Sequence, residues 1–68
     1  MEKNWVKIYS TTNSYLAEIL KNVLLTHGIE CVLINKQDSS YLVFGEAELY
    51  THINKAEKAL QIIEEENV

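Results

Sequence analysis

The hydrophobic and polar positions of the chain predict five elements in the order β-α-β-β-α. The first element is a strand from Trp5 to Tyr9, rich in β-forming residues. Its side chains alternate between two faces, with Val6 and Ile8 on one face and Trp5, Lys7 and Tyr9 on the other.

A helix follows a short polar connection and is predicted to begin after Asn13. The Asn13 side chain suits the cap position, because its oxygen can accept a hydrogen bond from a free backbone N–H. Gly28 marks the end of the helix, since glycine readily adopts the left-handed conformation that closes helices. One helical stripe contains the apolar positions and a histidine, namely Leu16, Ile19, Leu20, Val23, Leu24 and His27.

Two further strands and a second helix complete the pattern. The second strand, Ile29 to Asn35, is almost continuously apolar, which indicates an interior strand. In the third strand, Glu46 to Ile53, the residues Leu49, Thr51 and Ile53 alternate with Glu48, Tyr50 and His52. Asn54 is predicted to cap the second helix, with Glu57 three residues later in a capping-box pattern. The apolar stripe of this helix consists of Ala56, Ala59, Leu60 and Ile63.

The order of the elements predicts an α+β, ferredoxin-like two-layer sandwich. A right-handed crossover makes the first two strands parallel and leaves room for the third strand between them, antiparallel to both. The prediction is a three-stranded mixed sheet in the order 1-3-2 or its equivalent, with two helices on one face. The fourth strand of a ferredoxin-like sheet is missing. A length of 68 residues fits a single domain over residues 1–68.

Charge and composition narrow the function classes. The net charge is −4, and the basic residues are six lysines with no arginine. Phosphate backbones and anionic membranes attract clustered Lys and Arg, so nucleic-acid and membrane binding are not expected. No stretch has the length of a signal peptide or of a membrane-spanning helix, and we therefore expect a cytoplasmic protein.

The reactive residue types do not form a catalytic or metal-binding pattern. Cys31 lies in an apolar strand, where a thiol usually behaves as a small hydrophobe. His27 and His52 lack the close spacing of a zinc site. Ser39 and Ser40 follow an aspartate in a connection between two strands, which indicates turn chemistry. We expect neither a cofactor nor enzymatic activity.

Three aromatic residues are predicted on the open face of the sheet: Trp5, Tyr9 and Tyr50. One interpretation is a stacking platform for single-stranded RNA. The other is a second small core or a protein interface, which the acidic charge and the absence of arginine favour.

The connection between the second and third strands is the most unusual segment. Its polar part is Gln37 to Ser40, whereas Tyr41 to Phe44 are apolar and costly to expose to water. These residues either cover the open sheet face or form a partner-binding element.

The chain as a whole resembles a bacterial family of signal-transducing proteins of unknown activity, related in fold to the nitrogen regulator PII. The matching segments are WVKIYST, AEILKNVLLTHGI, NKQDSSYLVFGEAELY and AEKALQIIEE. The resemblance implies a ferredoxin-like fold. In PII-like proteins the loop between the second and third strands contacts partners. The corresponding segment here, Lys36 to Phe44, is much shorter and has no nucleotide-binding signature to carry over.

The leading hypothesis is a small non-enzymatic regulatory or adaptor domain that binds a protein partner or itself. Because the first strand is predicted at a sheet edge, homodimerisation is expected there. The alternative is a small-molecule sensor using the loop from Lys36 to Gly45. In that case Lys36 and Gln37 orient a polar ligand, and Tyr41 and Phe44 supply apolar contacts.

Overall fold

A computed structural model describes residues 4–36 and 46–66. The five elements are β1 (Trp5–Thr11), α1 (Ser14–Thr26), β2 (Cys31–Lys36), β3 (Glu46–His52) and α2 (Ile53–Glu66). The predicted α+β class and the β-α-β-β-α order are confirmed.

The sheet has the order β1-β3-β2, with β3 in the centre. Both neighbouring pairs, β1 with β3 and β2 with β3, are antiparallel. The predicted antiparallel orientation of β3 relative to both neighbours is confirmed. The description of the sheet as mixed is wrong, because β3 separates β1 from β2 and these two strands form no parallel ladder.

The two ends of α1 form as predicted. Asn13 Oδ1 accepts hydrogen bonds from the backbone N–H groups of Tyr15 and Leu16 at 3.1 and 3.2 Å. At the other end, Gly28 has a φ of +78° and its N–H donates to Leu25 O, while Ile29 N–H donates to Leu24 O. These two hydrogen bonds are the Schellman motif, which satisfies the last carbonyl groups of the helix.

The beginning of α2 differs from the prediction. The helix starts at Ile53, so Asn54 is its second residue and not its cap. The Nδ1 atom of His52 accepts the Asn54 backbone N–H at 3.2 Å, and the Ile53 N–H donates to Asn4 O at 2.7 Å. A histidine side chain and a backbone carbonyl thus accept hydrogen bonds from the free N–H groups at the beginning of α2, the role predicted for the Asn54 side chain.

Both helices pack on the same face of the sheet. The most completely buried large side chains are Leu24, Ile29, Leu49 and Thr51. Thr51 is buried without loss of hydrogen bonding, because its hydroxyl donates to Glu30 O at 2.6 Å. Further core residues lie on β1, α1, β2 and α2, namely Ile8, Leu20, Cys31, Ile62 and Ile63.

Candidate functional site on the outer face of the sheet

The face of the sheet opposite the helices, hereafter the outer face, is defined by the strand register. Lys7 lies opposite Tyr50, Tyr50 lies opposite Val32, and Trp5 lies opposite His52. Cross-strand partners share a face of the sheet. The outer face carries Trp5, Lys7, Ser10, Val32, Ile34, Glu48, Tyr50 and His52.

Tyr9 does not belong to this face, and its predicted position is wrong. The register between β1 and β3 shifts between Lys7 and Tyr9, so that Ile8 is the extra residue of a β-bulge. A bulge places two residues opposite one and changes the alternation beyond it. Tyr9 consequently lies opposite Leu49 and packs against the helix-side core.

Glu48 is the most unusual residue of the outer face. Although it lies on the side of the central strand away from the helices, it is only 4% exposed. Its Oε1 accepts a hydrogen bond from the Tyr50 hydroxyl at 2.9 Å, and Lys7 Nζ lies 3.5 Å from its Oε2. A buried carboxyl group requires such partners, because its removal from water is unfavourable. The arrangement fixes the Tyr50 side chain at the middle of the outer face.

Apolar and aromatic side chains surround this polar centre. On β2, Val32 is 39% exposed and Ile34 is partly exposed. Trp5 is half-buried and meets the His52 ring edge-on, with ring centroids 6.2 Å apart. Such edge-to-face contacts hold both rings in a defined orientation. The outer face therefore combines accessible apolar groups with a hydrogen-bonded polar centre.

An open pocket of about 350 Å³ lies at the end of the sheet where Trp5 and His52 meet. The first residues of α2 and the connection between α1 and β2 complete its wall. Its lining combines an indole ring, an imidazole ring, a carboxylate and an ammonium group, from Trp5, His52, Glu30 and Lys55, with Gly28 and Asn54. Rings beside charges of both signs suit a small polar ligand.

The predicted loop site falls mostly outside the described part of the chain. Gln37, Tyr41 and Phe44 all lie between residues 37 and 45, which are outside the described ranges. The backbone of Lys36 ends β2 and pairs with that of Glu46. Of the seven residues predicted for binding, the structure places Trp5 and Tyr50 together on the outer face.

Cys31 and His27 each contact a backbone carbonyl group of α1. Burial raises the pKa of the Cys31 thiol, with a smaller opposing effect from the charge of Lys21. The thiol lies 3.7 Å from Lys21 O, within the helix-side core. His27 Nδ1 is 2.9 Å from Val23 O at the end of α1. Across residues 4–36 and 46–66, no three His, Cys, Asp or Glu side chains are grouped to hold a metal ion.

Sequence reasoning missed four residues that shape this region: Glu30, Glu48, His52 and Lys55. Glu48 and His52 alternate with Tyr50 in the sequence and could have been grouped with it. Glu30 and Lys55 carried no usable signal, because they approach the pocket from segments that are distant in sequence. Only the packing of α2 at the end of the sheet brings them together.

Comparison with known proteins identifies the family. A family model with the description "Putative prokaryotic signal transducing protein" matches residues 5–67. No curated protein and no solved structure matches the chain. None of the helices in the described ranges is long and apolar enough to cross a membrane. The match spans all five elements, and the chain belongs to the family that carries this description.

Proposed function

We propose that this domain acts in signal transduction without catalysis, by binding a protein partner through the outer face. The observation that carries the proposal is the combination of accessible apolar side chains with the hydrogen-bonded pair of Glu48 and Tyr50. Val32, Tyr50 and Trp5 lie on neighbouring strands of a hydrogen-bonded sheet, so binding requires little ordering of the backbone. Aromatic residues are common anchors of protein interfaces.

Charge indicates what kind of partner surface fits. The chain carries a net charge of −4, and Glu30 and Glu46 are exposed near the two ends of the outer face. We expect a partner surface that is apolar at its centre, where it meets Val32, and basic at its rim. Opposite charges at a rim mainly accelerate association and select the partner.

The family, fold and composition support the rest of the proposal. We assign the domain to the ferredoxin-like, PII-like group, with its fourth strand missing, and place it in the bacterial cytoplasm. The family description supports a signalling role, and the acidic, arginine-free composition supports a partner other than nucleic acid.

A photo-crosslinking amino acid at position 32 tests the proposal in cells. The same probe at position 25 of α1 serves as the control, because Leu25 is similarly exposed but lies on a helix. A protein that crosslinks only at position 32 is then purified, and its affinity is measured by calorimetry. Val32→Glu should weaken binding at least about tenfold, whereas Leu25→Glu should change it less than about twofold. Equal effects of the two variants would contradict the proposal.

A second candidate function is small-molecule sensing, and the pocket beside Trp5 favours it. The predicted sensor site lay in the loop after β2, whereas this pocket lies beside the beginning of that strand. An NMR titration with nucleotides and central metabolites tests it. Sensing requires saturable shifts at the Trp5 indole N–H and the Lys55 amide, and Trp5→Ala should abolish the shift at Lys55. Silence across the panel would exclude this candidate and leave protein binding unaffected.

A further inference from the structure

The pocket beside Trp5 and His52 is built from three separate parts of the chain. Its two rings come from the ends of β1 and β3, where Trp5 and His52 are cross-strand partners. The connection between α1 and β2 contributes Glu30, and the first turn of α2 contributes Lys55. Its volume of about 350 Å³ lies at the lower end of the range for small-molecule sites, so the ligand that fits it is itself small.

Hydrogen bonds hold these parts of the backbone in place. The Thr51 hydroxyl donates to the carbonyl oxygen of Glu30 at 2.6 Å, which ties the connection after α1 to the central strand. The Ile53 N–H donates to Asn4 O at 2.7 Å, which ties the beginning of α2 to the residue before β1. Because the chain itself supplies these bonds, a ligand has to order little more than the side chains of the pocket.

Two side chains of opposite charge line the pocket without pairing with each other. The residues that carry them, Glu30 and Lys55, are both exposed. Within residues 4–36 and 46–66, neither the Glu30 carboxylate nor the Lys55 ammonium group has an ion-pair or hydrogen-bond partner. Each charge is therefore available to a ligand, and a ligand with one group of each sign can satisfy both.

The ends of the two helices reinforce this separation of charge. α1 ends at Thr26, shortly before Glu30, whereas α2 begins at Ile53, two residues before Lys55. A helix carries a partial negative charge at its last turn and a partial positive charge at its first turn. The negative end of α1 is thus on the side of the carboxylate, and the positive end of α2 is on the side of the ammonium group.

The two rings match the same pair of ligand groups. An indole ring attracts an ammonium group over its face, so Trp5 and Glu30 both favour a cation. The Nδ1 atom of His52 accepts the Asn54 N–H at 3.2 Å, which places the proton of a neutral imidazole on Nε2. The His52 ring can therefore donate a hydrogen bond to a carboxylate, as Lys55 can.

We infer that this pocket binds a small zwitterion, with its ammonium group directed to Glu30 and its carboxylate directed to Lys55. A free α-amino acid has this chemistry, because both of its charged groups are attached to one carbon and fit a small cavity together. A ligand that is only anionic would be repelled by Glu30, and one that is only cationic would be repelled by Lys55. The inference rests on the sensing candidate above and gives that candidate a ligand class.

An NMR titration of the full ¹⁵N-labelled chain with the common α-amino acids, one at a time and up to about 10 mM, tests the inference. We expect at least one of them to give saturable shifts at the backbone amides of Glu30 and Lys55 and at the Trp5 indole N–H. The amide of that amino acid lacks the carboxylate, and its N-acetyl derivative lacks the ammonium group. Each derivative should bind at least about tenfold more weakly, because one charged hydrogen-bond partner is lost.

Charge-neutral variants assign each ligand group to its side chain. Glu30→Gln should weaken binding of the amino acid at least about tenfold, but should not weaken binding of the N-acetyl derivative, which has no ammonium group. Lys55→Gln should likewise weaken binding of the amino acid but not of its amide, which has no carboxylate. Glu46→Gln and Lys58→Gln are the matched controls, since both residues are exposed and neither lines the pocket. They should change binding less than about twofold.

The ¹H–¹⁵N spectrum of each variant verifies that it is folded. A derivative with a single charge that binds as tightly as the amino acid would overturn the inference. So would amino-acid binding that Glu30→Gln and Lys55→Gln leave intact, or the absence of shifts with every amino acid. The metabolite titration of the sensing candidate then decides whether the pocket takes another class of ligand. The Val32→Glu test of partner binding is separate from all of these outcomes.

Discussion

The two faces of the sheet use the same strands for different purposes. On the helix side, β3 directs Leu49 and Thr51 into a core where neither is accessible to solvent. On the outer face, the intervening residue Tyr50 is partly exposed, and its neighbour Val32 is 39% exposed. The strand geometry is common to both faces, so the difference comes from what lies above each. Stability should therefore depend mainly on the helix side, and recognition on the outer face.

Truncation of one residue from each face gives the largest expected contrast. Leu49→Ala should lower the free energy of unfolding by about 2–5 kcal/mol, because it leaves a cavity in the centre of the core. Val32→Ala removes an apolar group that water already reaches and should cost less than about 1 kcal/mol. Urea denaturation followed by circular dichroism measures both values. Equal losses would mean that the outer face is as well packed as the core.

The bulge in β1 provides a test of intermediate size within one strand. Tyr9→Ser should lower the free energy of unfolding by about 2 kcal/mol, because Tyr9 packs against the helix-side core. Ser10→Lys is the control on the neighbouring exposed position and should change it by no more than about 0.5 kcal/mol. Both values come from the same urea titrations. If Tyr9→Ser left the free energy of unfolding nearly unchanged, Tyr9 would lie on the outer face and not against the core.

The sequence was sufficient for the elements that local chemistry controls. Asn13 and Gly28 mark the two ends of α1, and both act through hydrogen bonds to nearby backbone groups. The alternation in β3 correctly separates Leu49 and Thr51 from Tyr50, because that strand contains no irregularity in its register. Local signals of this kind require no knowledge of the tertiary structure.

The remaining features depend on tertiary contacts that have no local signature. The bulge at Ile8 involves neither glycine nor proline, so simple alternation misplaced Tyr9. Leu60 was predicted in the apolar stripe of α2 but is 49% exposed, whereas Ile62, which that stripe left out, is only 7% exposed. The burial of Glu48 depends on the positions of neighbouring side chains. Three-dimensional packing determines all three outcomes.

His52 contacts both the outer face and the beginning of α2, and its substitutions should give the smallest change in the free energy of unfolding. Its ring lies on the outer face against Trp5, yet its Nδ1 accepts the Asn54 N–H at the beginning of α2. His52→Ala removes both contacts, whereas His52→Asn removes the ring but keeps a side chain well suited to helix capping. The Ala variant should be less stable than the Asn variant by about 0.5–1 kcal/mol.

Comparison of the two variants separates the stability that comes from helix capping from the stability that comes from the contact between the two rings. Because both variants lack the imidazole ring, their difference in the free energy of unfolding reports the hydrogen bond to Asn54. The Asn54 amide should also exchange faster in His52→Ala, but not in His52→Asn. Equal stability of the two variants would show that the Nδ1 contact does not stabilise α2. The role of His52 would then be limited to the outer face, and the two sides of the sheet would be energetically separate at this position.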